Sequence, residues 1–179
     1  TELVQMKLDV IVTHATPATE ALRRATSTIP IVMHGIDPVG SGFAASLARP
    51  GGNITGQSYI QGAVSSKQIE LLKIMLPKLS RVSILANPGN PTHPALLKDA
   101  QTAAQQTGLE LVQVDARNLE EVERGFVMIT RERAEAILVV ADGLLIGQRQ
   151  QIADMAIKHR IPSIFSYREG VQAGGLMSY

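Results

Sequence analysis

Short apolar runs without polar alternation recur along the chain, and each is followed by a segment with helical spacing. Such runs lie at residues 9–13, 30–34, 81–86 and 135–141. A strand that is apolar on both faces is typical of a parallel sheet covered by helices on both sides, because parallel strands need long crossover connections. The alternation of strand and helix therefore predicts an α/β fold with doubly wound parallel sheets.

Helix-start signals mark the first segments between these strands. Thr16 followed by Pro17 predicts an N-cap with proline at the first helical position. The apolar face of this helix is predicted to consist of Ala18, Ala21, Leu22 and Ala25. A short helix of small residues is expected from about Val39, after the turn pair Asp37-Pro38, and a third strand at residues 53–58.

A second series of elements begins near Ser65. Ser65 with Gln68, and Asn118 with Glu121, have the spacing of a capping box, so a helix is predicted to start at each pair. Further helices are expected at 94–106 and 148–160, and further strands at 109–114 and 161–166. The loose, glycine-containing segment at residues 56–65 is the predicted boundary between two lobes.

The composition excludes several kinds of function. Lys plus Arg number 17 and Asp plus Glu number 16 among 179 residues. Because the charges nearly balance, no overall electrostatic field attracts the chain to nucleic acid or a membrane surface. Cysteine is absent, which removes disulfides, thiolate catalysis and cysteine-ligated zinc. No apolar run reaches the length of a membrane span.

Ligands of open parallel sheets bind beyond the carboxyl ends of the strands, and this rule selects the candidate site. The candidate ligand-binding residues at predicted strand ends are Ala15, Thr16, Asp37, Pro38, Asn87, Asn90, Asp142 and Tyr167. Predicted helix starts at Thr16, Thr92 and Gly147 offer N–H groups to a carboxylate, and Asp37 or Asp142 offers a carboxylate to an ammonium group. This set predicts amino-acid binding rather than catalysis.

Several of these residues also have a purely structural interpretation. Asp37 and Asp142 can each cap the helix that follows, and Asn87 is a common turn residue. Tyr167 can be a packing residue, and Arg117, after the strand at 109–114, is typical of a solvated surface. The sequence alone leaves these alternatives open.

Three patterns that imitate known sites are interpreted as structural. Gly40-Ser-Gly-Phe-Ala-Ala has the letters of a dinucleotide fingerprint, but a polar turn separates it from its strand and no acid closes the next strand near Ser58. His14, His34 and Asp37 could hold zinc, but no further ligand at tight helical spacing reinforces them. The sequence has no G-x-S-x-G elbow. We therefore expect no catalytic residue, no metal and no cofactor.

Segments along the whole chain, in order, resemble one protein family. They are Asp9-Val-Ile-Val with Ala15-Thr-Pro-Ala, Ile36-Asp-Pro-Val-Gly, Leu47-Ala-Arg-Pro-Gly-Gly-Asn-Ile-Thr-Gly, Asn87-Pro-Gly-Asn-Pro and Tyr167-Arg-Glu-Gly-Val-Gln-Ala-Gly-Gly-Leu-Met-Ser-Tyr. The family is that of the substrate-binding proteins of bacterial ABC importers, in particular those that bind tryptophan or phenylalanine. The resemblance implies two lobes of periplasmic-binding-protein type, a partial one at 1–57 and a second at 58–179, with hinge segments near 57–63 and 176–179.

The resemblance also implies a function. The protein is expected outside the cytoplasmic membrane, periplasmic or lipid-anchored, where it binds an aromatic or apolar amino acid or related carboxylate between its lobes and delivers it to an ABC permease. The chain is expected to be a fragment of such a protein, with exposed edges of the partial lobe through which two chains can pair. The alternatives are the effector domain of a transcription regulator and a small α/β enzyme that uses Asp37 and Asp142.

Overall fold

The computed structural model describes residues 2–59 and 62–179. The strands are β1 (Ile11–His14), β2 (Ile31–Ile36), β3 (Ile54–Tyr59), β4 (Arg81–Ala86), β5 (Glu110–Asp115), β6 (Ala136–Val139), β7 (Ser163–Phe165) and β8 (Met177–Ser178). The helices are α1 (Glu2–Gln5), α2 (Thr16–Ala25), α3 (Gly62–Met75), α4 (His93–Gln106), α5 (Leu119–Arg131), α6 (Gly143–Gly147), α7 (Arg149–Lys158) and α8 (Arg168–Gln172). Within the described ranges, no helix is both long enough and apolar enough to cross a membrane.

The chain divides into two compact units. The first consists of Thr1–Ile60 with Asn90–Thr92, and the second of Gln61–Gly89 with His93–Tyr179. The predicted hinge near 57–63 includes residues 60 and 61, which lie outside the described residues. The predicted lobe bounds and hinges remain predictions.

The first unit contains a parallel sheet in the order β1-β2-β3. Alternate residues of its strands, such as Ile11, Ile31 and Ile54, form a buried cluster with Leu22 of α2, because α2 connects β1 to β2 and lies against both strands. On the other face of the sheet, Val12 has 76% of its surface exposed.

The second unit contains a parallel sheet in the order β5-β4-β6-β7-β8. Strand β4 lies in its interior and is buried after its first residue, and all of β6 is buried. Helix α5 buries Val122, Phe126 and Ile129 against this sheet, as their spacing predicts. The predicted α/β fold with parallel sheets is confirmed.

One predicted helix start is correct. The Asn118 side chain accepts a hydrogen bond from the Glu121 backbone N–H at 2.9 Å and caps α5. The reciprocal bond of a capping box is displaced by one residue, since the Glu121 carboxylate accepts from the Arg117 N–H at 2.8 Å. Arg117 also pairs with Glu121 on the exposed surface, which agrees with its structural interpretation.

The predicted cap at Thr16 is wrong. Ala15 is the N-cap, with φ at 74°, and Thr16 is the first residue of α2. Of the predicted apolar face, Leu22 is buried together with Thr16 and Thr19, while Ala18 and Ala21 are exposed.

Other helix starts also differ from the sequence prediction. Helix α3 begins at Gly62, so Ser65 and Gln68 lie inside it and are buried rather than capping. Helix α4 begins at His93, and Gly147 ends α6 instead of starting a helix. Residues 38–49 form turns and bends in place of the predicted short helix, because the Asp37 side chain and the Pro38 carbonyl close that turn locally.

Candidate functional site

The order of the second sheet places a topological switch point between β4 and β6. From β4 the chain continues to β5 on one side of β4, and then returns to β6 on the other side. Because β4 and β6 are parallel and in register from Val82–Ala136 to Leu85–Val139, the residues that follow both strands emerge at the same edge. Crevices at such points are where open α/β sheets bind ligands.

Asn87 and Asp142 meet at this switch point. The Asn87 side-chain Nδ2 lies 3.3 Å from Asp142 Oδ1 and 3.4 Å from Asp142 Oδ2, so the amide donates to the carboxylate. The Asn87 Oδ1 accepts from the Gly89 backbone N–H at 2.9 Å. The second unit thus brings together Asn87 and Asp142, two of the residues predicted to contact ligand. Asn87 also forms its predicted turn.

Asp142 is also the N-cap of α6. Its Oδ1 accepts from the backbone N–H groups of Leu144 at 2.9 Å and Leu145 at 3.3 Å. The extended backbone of Asp142, with φ at −155° and ψ at 144°, is the usual conformation of a capping residue. Only 4% of its surface is exposed, so the carboxylate is a buried charge surrounded by donors.

His93 connects the two strand ends. Its Nδ1 accepts from the Asn87 backbone N–H at 3.0 Å, and its Nε2 donates to the Ala141 carbonyl at 3.3 Å. The same Nε2 lies 3.9 Å from Asp142 Oδ2. Burial lowers the pKa of the His93 imidazole below its ordinary value, and the negative charge of Asp142 offsets part of that effect.

Tyr167 lies at the end of β7, next in the sheet to β6. It is half-buried, precedes α8 with an extended backbone, and lines a small cavity with Leu145, Phe165 and Gly170. The Phe165 ring packs so closely on Gly170 that a Cβ added at that glycine would lie 2.2 Å from Phe165 Cγ. The structure therefore brings Tyr167 to the same edge of the sheet as Asn87 and Asp142.

Gln68 of α3 ties down the ends of β7 and β8. Its Nε2 lies 3.1 Å from the Phe165 carbonyl and 3.4 Å from the Tyr179 carbonyl, to which it donates. Both partners are acceptors only, which fixes the orientation of the amide. Within the part of the chain that the structure describes, the buried Gln68 Oε1 has no hydrogen-bond partner.

Asn90 organises the turn before α4. Its Oδ1 accepts from the Thr92 backbone N–H at 3.1 Å and from the Thr92 hydroxyl at 2.8 Å. Asn90 is buried, with 2% of its surface exposed, and it belongs with Thr92 to the first compact unit. The helix start predicted at Thr92 lies one residue before the first residue of α4.

The first unit brings its own predicted residues to one edge. Ala15 follows β1 and donates its N–H to the His34 carbonyl of β2 at 3.1 Å. Asp37 follows β2, with φ at 42°, and its Oδ1 accepts from the Gly40 N–H at 2.8 Å. Non-glycine residues with left-handed backbone are often found at functional sites. Ala15 and Asp37 both have a positive φ, and both were selected by the strand-end rule.

Thr16 and Pro38 have structural contacts at this same edge. Thr16 is buried at the start of α2, and a Cβ added at Gly35 of β2 would lie 3.9 Å from its hydroxyl. The Pro38 carbonyl accepts from the Phe43 N–H at 2.8 Å and from the Ala44 N–H at 3.1 Å. The His14 and His34 rings stack with centroids 5.1 Å apart. Among the described residues, no three His, Asp or Glu side chains are grouped closely enough to hold a metal ion.

Comparison with known proteins identifies the family. The model of the ABC transporter substrate-binding protein family matches residues 1–179. The chain belongs to this family. The chain is similar to a curated "Tyrosine-binding protein" of Clostridioides difficile (strain R20291), with 28% identity over 177 residues. The match covers 98% of this chain and 50% of that relative.

Two solved structures are similar to this chain in fold. The ABC domain from Streptococcus pneumonia in complex with L-Trp superposes with a TM-score of 0.88 at 26% identity, over 99% of this chain and 59% of that one. A conserved domain protein from Vibrio cholerae O1 biovar El Tor gives a TM-score of 0.87 at 28% identity, over 97% of this chain and 58% of that one. The chain thus spans about half to three-fifths of the length of these relatives.

Two buried residues that bond at strand ends of the second sheet, His93 and Gln68, were missed by sequence reasoning. His93 was hidden because its role depends on the pairing of β4 with β6, and Gln68 was taken for a capping residue. The one signal for His93 was its place immediately before Pro94, at a predicted helix start.

Proposed function

We propose that this chain binds a small solute outside the cytoplasmic membrane as the substrate-binding component of an ABC importer. The proposed ligand is an amino acid with an aromatic or other apolar side chain, or a related carboxylate. The observation that carries the proposal is the pairing of Asn87 with the buried Asp142 at the switch point between β4 and β6. The tyrosine-binding relative and the L-Trp complex support the same ligand class.

Each predicted residue has a proposed role. Asp142 accepts from the ligand ammonium, because a buried carboxylate is best stabilised by a positive partner, and Asn87 fixes the orientation of that carboxylate. Tyr167 contacts the apolar side chain of the ligand. The remaining proposed contacts are Ala15 and Thr16, whose backbone at the start of α2 suits a carboxylate, and Asp37, Pro38 and Asn90.

A binding screen tests the ligand class. Isothermal titration of the full-length protein with L-tryptophan, L-tyrosine and L-phenylalanine is expected to show binding of at least one of them. Tryptamine and indole-3-propionate, which lack the carboxylate and the ammonium respectively, are expected to bind more weakly. If none of the amino acids or aromatic acids binds, the proposed ligand class is wrong.

We propose further that the ligand is released unchanged, in keeping with the substrate-binding family to which the chain belongs. Incubation of the bound amino acid with excess protein, followed by NMR of the ligand, is expected to show the starting compound only. Co-purification with an ABC permease and cell fractionation test the proposed partner and location.

Pairing of two chains through exposed edges of the first sheet also remains a proposal. Strands β1 and β3 are the outer strands of that sheet, and exposed strand edges are templates for pairing. Sedimentation analysis of this chain over a range of concentrations is expected to show a dimer. A monomer at all concentrations would remove the proposal.

A further inference from the structure

The sheet bonds between β4 and β6 end just before the candidate site. The last of them runs from the Val140 N–H to the Leu85 carbonyl at 3.3 Å. Beyond this bond, the Asn87 N–H and the Ala141 carbonyl each bond to one of the two nitrogens of His93. The imidazole therefore spans the two strand extensions that carry Asn87 and Asp142.

The two partners of His93 allow only one form of the ring. A backbone N–H can only donate and a carbonyl can only accept, so Nδ1 must be the unprotonated nitrogen and Nε2 must carry the hydrogen. A proton added to Nδ1 would face the Asn87 N–H and break that bond. Neutral imidazole is therefore the form that connects the strand ends.

We propose that His93 is a positioning residue for the ligand site, acting as the neutral Nε2–H tautomer that fixes Asn87 and Asp142 relative to each other. The expected effect on ligand binding rests on the proposed function, whereas the hydrogen bonds of His93 are independent of it. Binding groups must be held closely in place to be effective. His93 bonds to both of the strand extensions that carry Asn87 and Asp142.

Charged groups around His93 determine its response to pH. Asp142, at the start of α6, and Asp115, at the end of β5, both favour the protonated ring, whereas burial disfavours it more strongly. The ring therefore stays neutral through the physiological range and becomes protonated only in acid. Ligand affinity is expected to fall as the pH drops through the titration of His93.

Two substitutions separate positioning from mere packing in the full-length protein. His93→Asn keeps an acceptor near the position of Nδ1, whereas His93→Phe fills the space and removes both hydrogen-bonding atoms. We expect His93→Phe to weaken binding of L-tryptophan or L-tyrosine by about fivefold or more, the effect of two neutral hydrogen bonds. His93→Asn, which keeps the bond to the Asn87 N–H, is expected to recover part of that loss. His159→Gln, a change at an exposed histidine of the same unit, serves as the matched control.

A readout without ligand distinguishes this inference from the proposed function. In ¹⁵N spectra of the histidine-labelled protein, His93 is expected to show an unprotonated Nδ1 and a protonated Nε2 at neutral pH. The Asn87 amide resonance is expected to shift with the same midpoint when His93 titrates in acid. If no amino acid binds but these signals are found, only the ligand proposal is wrong.

Three results would overturn the role of His93. One is a neutral Nδ1–H tautomer, and another is an Asn87 amide that does not respond to the His93 titration. The third is wild-type affinity in His93→Phe at every pH where the protein is folded. A pH profile of affinity that is as steep in His93→Asn as in the wild type would likewise assign the acid effect to another group.

Discussion

Asp142 has two roles in this account, as the cap of α6 and as the proposed partner of a ligand ammonium, and two substitutions can separate them. Asp142→Asn keeps an oxygen that can accept from the Leu144 and Leu145 N–H groups, while it removes the charge. Asp142→Ala removes both. Asn and Asp are about equally good N-caps, so Asp142→Asn keeps the cap of α6, while it loses the charge and one of the two oxygens that accept from Asn87.

The magnitudes follow from the contacts of the carboxylate. Asp142→Ala loses the cap and leaves buried donors without an acceptor, which is expected to lower the free energy of unfolding by about 2–4 kcal/mol. Asp142→Asn is expected to lower it by less than about 1 kcal/mol. Loss of one partner from a buried charge pair costs about 2–5 kcal/mol, so Asp142→Asn is expected to weaken amino-acid binding at least about thirtyfold.

Urea unfolding and isothermal titration with L-tryptophan or L-tyrosine, on the full-length protein, measure the two effects separately. Asp99→Asn, at an exposed aspartate of α4, is the matched control and is expected to change neither quantity. Indole-3-propionate, which has no ammonium group, should lose no affinity in Asp142→Asn. If Asp142→Asn binds the amino acid as tightly as the wild type, Asp142 is a helix cap only and the proposed ammonium contact is wrong.

Three further perturbations test the packing and the pH response. Gly170→Ala places a Cβ 2.2 Å from Phe165 Cγ and should lower the free energy of unfolding by about 1–3 kcal/mol or more. Gly147→Ala, with no atom within 4 Å of the added Cβ, is the control and should not destabilise the protein. Equal urea midpoints for the two variants would contradict this. Phe126→Ala should lower the free energy of unfolding by about 3–5 kcal/mol. Val127→Ala, on the exposed face of the same helix, should change it by no more than about 0.5 kcal/mol. Folding lowers the pKa of His93 from its ordinary value of 6.5, so the unfolded chain binds that proton more readily than the folded chain. The stabilisation is therefore fully present above pH 6.5 and is lost as the pH drops through the folded-state pKa. The loss should be smaller in His93→Asn, and urea midpoints that fall equally with pH in both proteins would refute this.

Strands such as β6 could be predicted from the sequence because burial on both faces leaves a direct mark in apolar runs such as 135–141. Their order could not, since nothing in the sequence near β4 indicates that β5 and β6 lie on opposite sides of it. The helix starts failed where long-range structure overrides local preference. Gln68, for example, has the spacing of a capping residue but bonds to a carbonyl 97 residues away.

The candidate site was partly accessible for a different reason. In a parallel sheet every strand ends at the same edge, so polar residues after predicted strands can be grouped without knowledge of the strand order. That grouping found Asn87 and Asp142, which are 55 residues apart in sequence. It could not find His93, whose side chain matters because of where Asn87 and Ala141 lie in the folded sheet.

The structural and functional interpretations of the strand-end residues are therefore not exclusive. Where β4 and β6 end, the backbone loses its sheet partners, and a buried N–H or carboxylate must bond to something nearby. The bonds of Asn87 to Gly89 and Asp142, and of Asp142 to the start of α6, satisfy this need. The same bonds hold the amide and the carboxylate in one orientation, so that little conformational entropy would remain to be lost when a ligand binds. A residue that caps or closes a turn at a switch point is for this reason a better candidate for ligand binding than a polar residue without such bonds.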